Sequence, residues 1–249
     1  MSEQAPRPTR RQERRSQTVQ EIKTLALQQV SAGGPDAVTL SGIVREMAMS
    51  PAALYRYFAS RDALLADLVV DAYDDFADSV LDGASDRSDA GRHLVDVLNA
   101  ARDWALANPN AYRLIFQTGI GSGQELAPER TIPAASRSMT TIVEAIAAVA
   151  EAEAEAEAGS PSAIETETVA HTEPALDTAL QAWAERSQLA QYPRSVLLLG
   201  LTAWTRLHGI MSLELGGHLP ATGIDAGLLY AAEVASIREQ AERAGRRAG

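Results

Sequence analysis

Apolar residues recur every three to four positions along nearly the whole chain, a spacing that predicts one helix after another. Val19, Ile22, Ala26 and Val30 mark the first, and Gly33-Gly34-Pro35 stops it. Thr39 precedes a short second run of Leu40, Ile43, Val44 and Met47. Ser50 before Pro51 reads as an N-cap with proline at the first helical position, where its missing N–H costs nothing. That third helix is very short and ends near Phe58. Ser60 caps a long fourth helix with Leu64, Leu65, Leu68, Ala72, Phe76 and Val80 on one face.

The helical pattern continues beyond. Leu94, Val97, Leu98, Ala101 and Ala105 predict a fifth helix, stopped at Asn108-Pro109. Tyr112, Ile115 and Phe116 fit a brief sixth, before a Gly-rich loop from Gly119 to Gly123. Met139, Ile142, Val143, Ile146 and Val149 give a seventh. It runs into residues 151–158, where Glu and Ala alternate. Alternation is a strand period, but Ala is a poor strand former and both residues favour helix. The expectation there is a helix fraying into a flexible insert over 151–173. Three helices follow, over 175–191, 194–215 and 225–244. No segment reads as a strand, so the predicted fold class is all-α: a basic disordered arm (1–16), a three-helix domain (17–62) and a larger helical body (63–249).

Composition narrows the chemistry. At 249 residues one or two domains are expected, with 46% hydrophobic and 22% charged residues, as in ordinary globular proteins. The absence of cysteine excludes disulfides, thiolate metal sites and a cysteine nucleophile. Val196 to Trp204 is the most apolar stretch. Arg206 and His208 soon interrupt it, short of the ~20 residues a span requires. No signal-type apolar segment follows the Arg-rich start, so the expectation is a cytoplasmic protein with no membrane partner. Net charge is −11, yet residues 1–60 carry +3 and residues 61–249 carry −14. Nucleic acid responds to the local patch, because screening removes charge beyond ~8–10 Å.

Three short helices after a basic arm, with a turn between the second and third, describe a helix-turn-helix reader of double-stranded DNA. Such a reader must be small-sided where it meets base edges and must be anchored to phosphate at its ends. Ser50, Pro51, Ala52 and Ala53 supply the small entry, and Tyr55, Arg56 and Tyr57 supply donors. Leu54 and Phe58, four apart, face inward.

Thr39-Leu40-x-x-Ile43-Val44, then Ser50 through Phe58, then Ser60-Arg61-Asp62-x-Leu64-Leu65 resemble the N-terminal domain of TetR-type transcriptional regulators over residues 17–65. The sequence departs from that pattern at Val44 (Ala is usual), Ala48 (a turn Gly, so strained if its φ is positive) and Arg61 (Lys). The resemblance implies that Thr39, Tyr55, Tyr57 and Arg61 hold phosphates, with Ser50, Pro51, Ala52, Ala53 and Arg56 nearest base edges. Arg56 can grip guanine O6 and N7 with its fork, or serve as a phosphate contact or solvated charge. Tyr55 has packing on the first helix as its rival role. Arg7, Arg10, Arg11, Arg14 and Arg15 reach a minor groove or form a solubilising tail.

Trp204-x-x-x-His208-Gly209 resembles the ligand-binding subgroup of the same family named for its Trp-His-Gly signature. Family architecture then implies an effector-binding and dimerisation domain over 63–249, with a homodimer formed through the last two long helices. It implies a repressor released from a palindromic operator by a small-molecule effector. Gly200, Ala203 and Gly209 fit close packing. Trp104, Tyr112, Phe116, Met139, Trp183, Trp204, His208 and Met211 are candidate pocket residues, with core packing as the competing role for each. The aspartates of the fourth helix, Asp67, Asp71, Asp74 or Asp75, Asp78 and Asp82, read as a solvated acidic face that discourages loose docking on DNA, with a cation site as the alternative. Gly119 to Gly123 lacks the strand and Lys of a phosphate cradle. His93, His171, His208 and His218 lack metal-ligand spacing, and no catalytic constellation is present. The expectation is no enzyme, cofactor or metal; the alternative is a helical dimeric scaffold without sequence-specific DNA binding.

Overall fold

A computed structural model of the protein describes residues 9–83, 87–117, 127–158 and 174–246. Among them it holds ten α-helices and no strand: α1 (Arg10–Gly33), α2 (Leu40–Glu46), α3 (Pro51–Leu54), α4 (Arg61–Asp82), α5 (Ala90–Ala107), α6 (Pro109–Tyr112), α7 (Pro128–Ala158), α8 (Pro174–Arg186), α9 (Arg194–Leu215) and α10 (Ala226–Arg246). Contacts divide the chain into two units. The first runs to residue 72 and includes 110–132; the second takes 73–109 and everything from 133.

In the first unit, Ile22, Ala26 and Val30 form the buried stripe of α1. The helix begins earlier than its apolar pattern. Thr9 accepts from the Gln12 amide at 3.3 Å while Gln12 Oε1 accepts from the Thr9 amide at 2.8 Å, a reciprocal capping box. Residues 10–16, expected as part of a disordered arm, are therefore helical, while residues 1–8 lie outside the described set. Gly34, at φ 78°, ends α1. Thr39 caps α2 by accepting from the Gly42 amide at 3.3 Å, and its own N–H donates to Gln29 of α1 at 2.7 Å. A Cβ on Gly42 would lie 2.8 Å from Thr39 Oγ1 and 2.9 Å from the Gln29 side-chain amide nitrogen, so a larger residue there must shift these side chains.

The second unit is organised around α9 and α10. Val196, Leu197, Leu199, Ala203, Leu207 and Met211 of α9 are buried, as are Tyr230, Val234, Ile237 and Ala241 of α10. Gly200 sits against α7, where a Cβ would come 2.7 Å from Val143 Cγ2. Gly245 lies closer still, 2.2 Å from the Ala150 carbonyl by the same measure. Gly209, by contrast, faces open space. Arg102 of α5 grips Glu214 of α9 with two hydrogen bonds of 3.0 and 2.6 Å, which raise the guanidinium pKa against the opposing effect of burial.

Several expected boundaries move. α7 starts at Pro128, well before Met139, and carries Pro133 inside it. Its Glu/Ala stretch stays helical through Ala158; the rest of the expected insert, like the Gly-rich loop, lies outside the described residues. α8 stops at Arg186 rather than near Gln191, because Gln188 takes φ 57° and the Leu189 N–H turns back to the Ala184 carbonyl at 2.8 Å. By length and composition α9 is long and apolar enough to cross a membrane, correcting the expectation that this stretch falls short. Within its unit it is a core helix, and Arg206 pairs with Glu233 of α10 at 3.0 Å.

Candidate nucleic-acid interface

The third helix has a single α-helical turn, shorter than expected. Ser50 accepts from the Ala53 amide at 3.2 Å, and Pro51 opens the turn. Beyond Leu54 the chain continues as tight turns: the Tyr57 and Phe58 amides both donate to the Leu54 carbonyl, at 2.8 and 3.1 Å. Leu54 and Phe58 are buried and hold the segment from beneath. What remains outside is Ser50, Pro51, Ala52, Tyr55 and Arg56, all exposed, with Ala53 and Tyr57 half-buried. Tyr55 is 56% exposed, which removes packing on α1 as its main role. The entry to this segment is the Ala48 turn, whose φ of 49° is left-handed in a residue carrying a Cβ.

Arg61, expected at a phosphate, is engaged inside the first unit. Its Nε donates to the Val38 carbonyl at 2.9 Å and one terminal nitrogen donates to the Pro35 carbonyl at 2.5 Å, tying the start of α4 to the turn after α1. Asp36 and Asp62 lie 3.3 and 3.5 Å from the same guanidinium. Thr39 remains exposed at the α2 N-terminus.

The extra helical turns of α1 change the surface beside α3 and the turns that follow it. Arg10, Arg11, Arg14, Arg15 and Thr18 line a cleft of about 620 Å³ together with Arg56 and Tyr57. Arg15 lies over the Tyr57 ring, 5.1 Å from its centroid, and donates to the Arg56 carbonyl at 3.4 Å. Apolar periodicity does not reveal this contact, but the sequence carries a signal for it: Thr9-x-x-Gln12 is a capping pattern, and the arginines that follow are spaced one helical turn apart.

The acidic face of α4 is not simply solvated. In the first unit Lys23 pairs with Asp71 at 2.5 Å and Asp67 at 3.6 Å, and Arg130 reaches Asp67 at 2.6 Å. In the second, Arg137 bridges Asp78 and Asp74 at 2.5 and 2.6 Å, and these hydrogen bonds raise its pKa. Asp75 accepts the Trp104 indole N–H at 2.7 Å.

The candidate effector residues fall into different units. Tyr112, buried, packs on Phe116 at 5.1 Å between centroids in the first. In the second, Trp104 is buried on Phe76 at 4.9 Å and Met211 is buried, while Met139 and Trp183 are half-buried. The Trp204 and His208 rings lie 4.6 Å apart and tilted by 56°, and desolvation lowers the His208 pKa to about 4.

Comparison with known proteins gives these elements a family. The model described as bacterial regulatory proteins, tetR family, matches residues 22–68. The model of the tetracyclin repressor-like C-terminal domain matches residues 94–237, more than half of the chain. The chain belongs to the TetR family. The second match establishes that domain type and not the Trp-His-Gly subgroup. Two curated relatives, the HTH-type transcriptional regulators Mb1846 of Mycobacterium bovis and Rv1816 of Mycobacterium tuberculosis, are each 36% identical over 148 residues. The match covers 58% of this TetR-family chain and 62% of theirs, less than two thirds of their length. The crystal structure of SCO4313, a protein with a proposed regulatory role, is 35% identical, with a TM-score of 0.72 over 93% of this chain and 98% of that one. The TetR family regulator PfmR of Thermus thermophilus, at 15% identity and a TM-score of 0.55, covers 88% of this chain and 97% of its own and shares the fold.

Proposed function

We propose that this protein is a one-component transcriptional regulator acting on cytoplasmic DNA, a repressor that leaves a pseudo-palindromic operator when a small-molecule effector binds. One observation carries the reading: small-sided Ser50, Pro51 and Ala52, with Tyr55 and Arg56, stand exposed on a TetR-type N-terminal domain, and Ala53 is half-buried beside them. Small side chains let the backbone approach base edges, and Arg56 offers a bidentate fork to guanine. In this reading Thr39, Tyr55 and Tyr57 serve as phosphate donors, supported by the exposure of Thr39 and Tyr55. Arg61 contributes mainly by fixing the start of α4, given its carbonyl partners.

The dimer reading rests on α9 and α10. Leu213, Ile224, Leu228 and Leu229 leave apolar surface exposed on or beside these helices, and Leu228 is 73% exposed. A two-fold pair would present two reading segments to half-sites one duplex turn apart, roughly 34–36 Å. The effector would act from the tetracyclin repressor-like C-terminal domain, where Trp104, Met139, Trp183, Trp204, His208 and Met211 are the residues to examine. α4 carries the change, since it begins in the first unit and ends in the second. A coupling of ~1–3 kcal/mol suffices for such a switch.

The test is footprinting on the intergenic DNA flanking the gene, with and without metabolite extract. The reading expects a protected inverted repeat whose protection fades with extract. Uniform weak protection along the fragment supports the scaffold alternative instead.

A further inference from the structure

The cleft between the start of α1 and the reading segment holds five guanidinium groups, and none of its described lining residues is acidic. Among the described residues no carboxylate pairs with Arg10, Arg11, Arg14 or Arg15. By contrast, Lys23, Arg102, Arg130, Arg137 and Arg206 each sit on an acid. A chain of net charge −11 has carboxylates to spare, yet keeps them off this cleft. Like charges gathered in this way give a local positive potential that favours an anion.

The geometry also says which anion. Positions 10, 11, 14, 15 and 18 fall on one face of α1 at helical spacing, and that face opens toward Arg56 and Tyr57. All four arginines are exposed, so the site is an open track rather than an enclosed pocket. A helix of ~10–12 Å diameter cannot enter a minor groove ~6 Å wide, so residues 10–15 meet the duplex from outside.

We propose that this cleft grips the DNA phosphate backbone beside the bases read by Ser50–Arg56. Arg10, Arg11 and Arg14 make the phosphate contacts. Arg15 is a positioning residue that holds the Tyr57 ring and the Arg56 backbone. The proposal rests on the DNA-binding reading above and adds a second, sequence-independent contact surface to it.

The test compares the wild type with R10A/R11A/R14A and R10K/R11K/R14K, all in the full chain, by fluorescence anisotropy on the footprinted operator and a scrambled duplex. Salt is varied from 50 to 200 mM. Each phosphate contact contributes about 0.9 to the slope of log affinity against log salt. Three contacts make the alanine variant's slope shallower by about 2.7, so its deficit relative to wild type shrinks ~40-fold across that salt range. The deficit is the same on both duplexes, and the lysine variant keeps the wild-type slope. Arg14→Gln alone lowers the slope by about 1, a check that does not depend on the triple variant's folding. An alanine variant with the wild-type slope overturns the proposal even if operator preference stands. Loss of slope in a protein that does not prefer the operator supports the cleft while overturning sequence-specific reading. Sodium tripolyphosphate is titrated calorimetrically into DNA-free protein. Saturable, arginine-dependent binding there with an unchanged DNA slope assigns the cleft to a soluble anion and overturns the proposal.

Discussion

Arg61 and His208 show how far a residue's type and neighbours decide its work. Arg61 sits where the TetR pattern has a lysine, and a lysine could hold a phosphate there. An arginine also has a fork, and this one spans the Val38 and Pro35 carbonyls. Arg61→Ala should therefore lower stability by about 1–3 kcal/mol in chemical denaturation without any DNA, since charge-assisted hydrogen bonds are lost from part-buried carbonyls. A variant as stable as wild type would return Arg61 to a purely DNA-facing role. His208, with its pKa depressed to about 4 by desolvation, is neutral in the folded state at pH 7. The unfolded chain takes up the proton first as pH falls. The contribution of His208 is thus complete above its ordinary value of ~6.5 and is lost progressively down to about 4, a loss of roughly 2–3 kcal/mol. Melting from pH 7 to pH 4.5 should fall less steeply for His208→Gln than for wild type; parallel curves would contradict this.

Element boundaries were legible wherever a cap announced them. Ser50-Pro51, Ser60 and Gly33-Gly34 all mark ends that the structure keeps. They were obscured where helix formation does not depend on an apolar stripe. The first turns of α1 carry arginines and rest on a capping box, so hydrophobic periodicity starting at Val19 missed them. The early turns of α7 were hidden by Pro133, a residue that signals a break. The aspartates of α4 looked solvated because their partners, Lys23, Arg130 and Arg137, lie 44 to 63 residues away in sequence and leave no local trace. The α2–α3 turn is the opposite case, visible from one residue. Ala48 replaces the usual Gly and sits at φ 49°, at a strain of roughly 1 kcal/mol. Ala48→Gly should raise Tm by about 2–4 °C in calorimetry while leaving operator affinity unchanged. A lower Tm would mean that the turn is relaxed as it stands.

For the whole molecule, the all-helical class follows from apolar periodicity along the chain, and the candidate DNA-reading segment from motifs confined to about fifty residues, which is why a single sequence discloses them. The candidate effector residues come from helices far apart in the chain, and the structure distributes them between two units. Spacing alone does not group them. The dimer reading is testable at one position. Leu228, 73% exposed on α10, gains nothing from solvent, whereas an apolar partner would cover it. Leu228→Asp should convert the protein to a monomer in size-exclusion chromatography with light scattering, and should weaken binding to a full operator far more than to a half-site. A dimer of unchanged affinity would remove α10 from the interface.

The most direct test of the central claim is the affinity of the purified protein for its own flanking DNA against a scrambled duplex of equal length, measured at several salt concentrations. The account predicts a preference on the order of 10³-fold or more at physiological salt, a steep decline with salt on both duplexes, and loss of the preference in Arg56→Ala. Equal affinity for the two duplexes at every salt concentration would contradict it.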